Sequence, residues 1–402
     1  MKILVLSPKP PWPPHDGGAV ATMRCIEGLA ASGARVSLLA MHTEKHGQEQ
    51  NAEAGTPSFL EQYHTVRVDT RIRPLRMVGN LLFSDEPYDL ARFRSPQFSE
   101  ALKSLITQED FNIIQCEGLI FSLYLDEIRK LTSAPVVLRA HNIEHRIREM
   151  MAENSAGGVR RAYWKNLAQR LRKLETYAAQ RFDAVVPISE PDRDWFSSVS
   201  SGRPVMLSET GADAAECTNE PDEPTLRVGF IGALNWQPNL GGIKWFLARV
   251  WPCVAGSVPS ATLHIAGRGA PASTQRWLHG HRVFFEGEVD DARRFMASMN
   301  VLIAPLFAGS GLRIKIIEAM SIGRTVVATP VAASGLPAAD RREIIIAADP
   351  ESFCRVLTEV LQNPALRASM GEAAVALVRE RYDNRARTAE LLEFYRELSH
   401  GR

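Results

Sequence analysis

Short apolar runs at 3–6, 35–40, 63–68, 113–115, 136–140 and 184–187 alternate with longer stretches, such as 19–32, whose apolar residues recur at helical spacing. That rhythm predicts parallel strands joined by crossover helices. From 203 to 224 the pattern gives way to polar and turn-forming residues, ending in Asn219-Glu220-Pro221-Asp222-Glu223-Pro224, which reads as an interdomain connection. The rhythm then restarts with runs at 226–231, 262–266, 283–285, 301–304, 325–328 and 344–346. The expected architecture is α/β, with two Rossmann-like domains: an N-terminal one over 1–207 and a C-terminal one over 208–384. A closing helix from about 385 to 402 could pack back onto the first. Open parallel sheets bind ligands at the carboxyl ends of their strands, so the expected site is a cleft where the two sheets face each other.

A chain of 402 residues suits two or three domains at roughly 150 residues each. Its 47 Lys and Arg against 46 Asp and Glu exclude a general nucleic-acid binder, which needs a strongly basic surface. Cysteines 25, 116, 217, 253 and 354 are scattered without a C-x-x-C pair, so neither a zinc site nor a disulfide framework is expected, and a reducing cytosol fits. No apolar stretch reaches the roughly 18 residues of a membrane span. A cytoplasmic location is expected.

One segment carries more chemistry than the rest. In Gly309-Ser310-Gly311-Leu312-Arg313-Ile314-Lys315-Ile316-Ile317-Glu318, a strand at 301–304 leads through a glycine turn into a helix start. Unpaired N–H groups and the dipole make such a start a seat for anions. Cations there are electrostatically disfavoured unless an anion joins them, yet Arg313 and Lys315 both occupy it. A tight turn with a solvated polar face is the plainer reading of the same residues.

Other strand ends offer further candidates. Gly17-Gly18 follows the proline-stiffened loop after the first strand and lets backbone approach a ligand closely, though it is not a dinucleotide fingerprint. His141 ends the strand at 136–140 and could hydrogen-bond a sugar. Gly232, Asn235 and Trp236 follow the strand at 226–231, while Arg268 and Val289 lie on loops of the same rim that could hold a base. The stretch 157–182 joins an apolar stripe to Arg160, Arg161, Lys165, Arg170, Arg172, Lys173 and Arg181. It is either a core-packed helix with a solvated basic face or a dock for a phosphorylated acceptor or a peripheral contact with anionic membrane at the inner face.

The run from Gly311 through Glu318-Ala319-Met320-Ser321-Ile322-Gly323-Arg324-Thr325, supported by Gly17-Gly18, His141 and Gly287-Glu288-Val289-Asp290, resembles the family 4 retaining glycosyltransferases. These have the two-Rossmann architecture called GT-B, and the resemblance spans nearly the whole chain. It implies a nucleotide-sugar donor in the C-terminal domain and a glycan or lipid-linked acceptor mainly in the N-terminal one, as in polysaccharide biosynthesis. Glu318 matches the carboxylate that binds the donor ribose, Gly17-Gly18 the loop beside pyrophosphate and acceptor, and His141 the histidine near the transferred sugar. The implied donor contacts include Ser310, Gly311 and Leu312. Two departures stand out: Ser310 occupies the place of a second glutamate that contacts the sugar, and Ala233 and Asn239 stand where an arginine and a lysine commonly follow the strand ending at Ile231. The phosphate-neutralising charge is expected to come from Arg313 and Lys315 instead.

The resemblance implies transfer with retention and without cofactor or metal, the leaving phosphate stabilised by preorganised cations. A nucleotide-sugar epimerase on the same fold, or a catalytically silent nucleotide-sugar-binding subunit, are the alternatives, the second motivated by Ser310.

Overall fold

The computed structural model describes residues 1–14, 16–44, 56–153, 155, 157–213, 225–278, 280–308 and 313–400. It divides into two compact units: Met1–Gly211 with Asn384–Arg402, and Ala212–Asp383. In unit 1 the strands are β1 (Lys2–Ser7), β2 (Arg35–His42), β3 (Gln62–Arg67), β4 (Ile113–Glu117), β5 (Val136–Ala140) and β6 (Ala184–Pro187). They form one parallel sheet in the order β3-β2-β1-β4-β5-β6. Period-2 alternation fills both faces. Leu4 and Leu6 of β1 join a core with Phe98, Phe121, Leu167 and Leu171, whereas Ile3 and Val5 meet Ile26, Leu29, Leu391 and Tyr395 on the other side.

The last of these come from the C-terminal helix Asn384–His400, which packs on the helix Gly17–Ala31. Small residues bring the two together. A Cβ on Gly28 would lie 2.3 Å from Thr388 Oγ1, so only glycine permits this approach. Asn384 Nδ2 donates to the Arg24 carbonyl at 2.9 Å.

Unit 2 repeats the plan with β7 (Leu226–Ile231), β8 (Ala261–Ala266), β9 (Val283–Gly287), β10 (Val301–Ala304), β11 (Thr325–Ala328) and β12 (Ile345–Ile346), all parallel in the order β12-β11-β10-β7-β8-β9. Both units are therefore doubly wound sheets. In each, strand order reverses between two neighbours, β1 and β4 in one and β7 and β10 in the other, and ligands bind beyond the carboxyl ends at such a reversal.

The cysteine expectation needs correcting. Cys253 and Cys354 form a disulfide, Cα atoms 6.1 Å apart, that ties the helix Trp251–Ser257 to the helix Pro350–Gln362. The partners stand 101 residues apart, so spacing gave no sign of the pairing. Cys25 and Cys116 are free and buried. Burial pushes both thiols up, which leaves them poorly ionised and inert.

Candidate functional site

At the β7/β10 reversal, the helix Ile314–Ser321 begins with Arg313 as its N-terminal cap residue, in a non-helical backbone conformation. Arg313 is buried, and Glu318 lies half-buried one turn further on. Lys315 crosses from this helix to the end of the neighbouring strand. Its Nζ donates to Asn239 Oδ1 at 3.1 Å and to the Ile231 carbonyl at 3.4 Å, and sits 4.7 Å from the centre of the Phe230 ring. Burial, with the charge of Arg313 beside it, brings the Lys315 ammonium down to about 7, and burial lowers Arg313 as well. The two cations repel each other and the positive end of the helix dipole, a repulsion that an added anion would relieve. Asn239 is in turn fixed by Nδ2 donating to the Ala233 carbonyl at 3.0 Å.

The loops after β7, β8 and β9 are laced into one rim. Gly267 N–H donates to the Gly287 carbonyl at 2.7 Å and Leu234 N–H to the Arg268 carbonyl at 2.8 Å. A Cβ on Gly267 would meet the Gly232 carbonyl at 2.0 Å, so glycine is required for the loops to lie this close. Asn235 and Trp236 are exposed on this rim, with Arg268 and Val289 half-buried. Gly309, Ser310, Gly311 and Leu312, the glycine turn of the sequence motif, lie outside the described residues.

Unit 1 has its own polar centre. Gly17 and Gly18 open the first helix, whose cap Asp16 accepts from Ala19 N–H at 2.9 Å and pairs with Lys9. At the β1/β4 reversal, buried Glu117 ends β4 and collects four donors. Arg139 Nη1 lies at 3.1 Å, the Thr22 hydroxyl at 3.0 Å, His141 Nε2 at 2.5 Å, and Gln115 Nε2 completes the set. Burial alone would raise this carboxyl; Arg139, His141 and Gln115 more than offset it and hold Glu117 at about 2. It is therefore a fixed anion. Tyr395 of the C-terminal helix donates to Gln115 Oε1 at 2.8 Å and closes the network.

His141 is the partly exposed end of that network, with one ring nitrogen committed to Glu117. A carboxylate that fixes the tautomer and plane of a histidine prepares it to offer its other edge to a ligand. Glu117 is the residue that the sequence alone did not suggest. The apolar run at 113–115 stops two residues short of it, and the only available signal was a carboxylate at a strand's carboxyl end. The basic stretch forms the helix Gly158–Arg181; its Leu167 and Leu171 are buried in the core, so its apolar stripe is already used.

Two doubly wound domains in tandem, with a cationic helix start at a strand reversal, are the plan that the GT-B resemblance implies. The family comparisons agree. Residues 16–206 match the glycosyl transferase 4-like domain and residues 225–363 match the model described as glycosyl transferases group 1. The chain belongs to the group 1 glycosyltransferases.

A 44.6 kDa protein of the cps region of Klebsiella pneumoniae, itself uncharacterised, is 22% identical over 96% of this chain and 97% of that one. A phosphatidyl-myo-inositol mannosyltransferase of Mycolicibacterium smegmatis is 28% identical over 48% of this chain and 54% of its own length. Among solved structures, sucrose-phosphate synthase of Thermosynechococcus elongatus covers 100% of both chains with a TM-score of 0.74 at 16% identity. HepE of Anabaena, in complex with UDP-glucose, covers 98% of this chain and 100% of its own with a TM-score of 0.65 at 14% identity. Likeness at these identities speaks for the fold.

Proposed function

We propose that the protein transfers a sugar, with retention of anomeric configuration and without a metal ion, from a nucleoside diphosphate sugar to a hydroxyl of a glycan or lipid-linked glycan. The observation that carries this reading is Lys315, desolvated beside Arg313 at a helix start, where it donates to the neutral Ile231 carbonyl and Asn239 side chain and lies against the Phe230 ring. A diphosphate at this helix start would meet both cations and the positive end of the dipole. The UDP-glucose bound by HepE is the kind of donor that fits.

In this reading Glu318 takes the ribose hydroxyls, Arg268, Asn235 and Val289 surround the base, and Ser310, Gly311 and Leu312 meet the donor's sugar and phosphate. Gly17-Gly18 lies beside the pyrophosphate and acceptor, and His141, aimed by Glu117, hydrogen-bonds the transferred sugar. As the glycosidic bond breaks, its electron pair goes to the leaving phosphate, where Arg313, Lys315 and the helix dipole stabilise the charge. The acceptor hydroxyl bonds to the anomeric carbon on the same face and gives its proton to that phosphate oxygen. No protein nucleophile is needed.

Replacement Lys315→Ala is expected to lower turnover by about 10²-fold or more, in the range of a lost oxyanion donor. Unchanged turnover would remove Lys315 from the mechanism. Incubation of the donor without acceptor separates this reading from the epimerase, which would yield a new free nucleotide sugar. The family match does not favour that alternative.

A further inference from the structure

The helix Pro74–Phe83 of unit 1 is turned inside out. In an ordinary surface helix the apolar stripe faces the core. Here no residue of the helix is buried. Leu75, Val78 and Leu82, spaced i, i+3 and i+7 on one face, are 89%, 49% and 66% exposed, and Ile72 and Phe83 at its two ends are 64% and 87% exposed. The opposite stripe, Arg73, Arg76 and Asn80, borders an open cavity behind the helix, and polar bonds at Asn80, Leu81 and Arg73 hold the helix to the unit. Arg170 donates to the carbonyls of Asn80 and Leu81 at 3.2 and 2.7 Å, and the Tyr88 hydroxyl binds the backbone of Arg73. The fold thus anchors this helix by its polar side and leaves its apolar side uncovered.

Charge says what covers it. Behind the helix opens a cavity of about 380 Å³ lined by Arg71, Arg73, Arg76, Arg92 and Arg94, with Asp69 its one carboxylate. Asp69 pairs with Arg71 and Arg73, and Arg94 pairs with Glu86, while Arg76 and Arg92 hold no carboxylate among the described residues. A protein partner that buried Leu75 and Phe83 would have no use for so many cations at the edge of the contact. A helix whose apolar side enters the acyl boundary while arginines meet phosphates at headgroup level matches an anionic phospholipid surface. None of the described helices is long and apolar enough to cross a membrane.

We infer that the Pro74–Phe83 helix and the arginine cavity behind it dock unit 1 on an anionic phospholipid bilayer. This element, rather than the basic helix Gly158–Arg181, supplies the apolar insertion. The inference does not rest on sugar transfer, since its test is read without donor or acceptor.

The full chain is sedimented with phosphatidylcholine vesicles, with and without phosphatidylglycerol. Binding is expected to require phosphatidylglycerol. Arg76→Ala should weaken it about fivefold, the effect of one cation near an anionic surface. A combined Leu75→Ser, Leu82→Ser and Phe83→Ser variant, altered only at exposed positions, should weaken it by about tenfold or more. Equal binding to neutral vesicles, no binding to either, or unchanged binding of the triple variant would overturn the inference. So would a dimer in solution that the triple variant converts to monomer, because a second copy would then be the occupant.

Discussion

An ammonium held at about 7 is only half charged in neutral solution, and for Lys315 this follows from burial and from Arg313 rather than from a partner of opposite sign. A bound diphosphate would restore the charge by raising the pKa, so binding takes up a proton. Affinity for a nucleoside diphosphate is therefore expected to fall as pH rises above about 7, by up to about tenfold per unit. Stability without ligand should run the other way. The folded pKa lies below the unfolded value, so above pH 7 the unfolded state binds more protons and folding gains stability as pH rises toward the unfolded pKa. Calorimetric binding and melting curves over this range, on the wild type and on Lys315→Met, measure both; a pH-independent affinity would mean that Lys315 does not meet the phosphates. The sequence showed two cations at an awkward place in a helix. It could not show that Lys315 reaches Asn239, 76 residues earlier in the chain, because that contact exists only once β10 lies against β7.

Elements were legible to the degree that each is a contiguous buried run. The strands β5, β6, β7, β10 and β11 occupy the runs that their mostly apolar residues marked, since a parallel strand covered on both faces needs no polar face, though Arg139 interrupts β5 and Arg227 interrupts β7. The helix Pro74–Phe83 went unread because its apolar residues face outward, and a pattern of apolar positions carries no information about which side the body lies on. The closing helix was legible, its seat was not. That seat depends on Gly28, and a glycine inside a helix looks like a defect until Thr388 is seen against it. Gly28→Ala should overpack this contact by about 1–3 kcal/mol, lowering the melting temperature of unit 1 by about 2–4 °C per kcal/mol. A Thr388→Ala change in the same chain should recover part of the loss; equal melting of Gly28→Ala and wild type would show that the two helices do not meet this closely.

At the scale of the molecule, the duplication of one doubly wound plan was written in the repeated rhythm on either side of the 203–224 connection. The return of the last helix to unit 1 makes that unit discontinuous in sequence, so the chain leaves it near Gly211 and re-enters at Asn384. The division of labour proposed for the two units follows their polar centres. Unit 2 sets Arg313 and Lys315 together at a helix start, and unit 1 holds a histidine against a permanently ionised carboxylate. The central claim is that the Arg313–Lys315 pair seats a nucleoside diphosphate. Titration calorimetry of the wild type with uridine, guanosine and adenosine diphosphates, followed by Lys315→Ala with the tightest of them, tests it most directly. The account predicts that one diphosphate binds with proton uptake and that the variant loses about tenfold or more in affinity while remaining folded. Failure of all three to bind, or the same affinity in the variant, would contradict it.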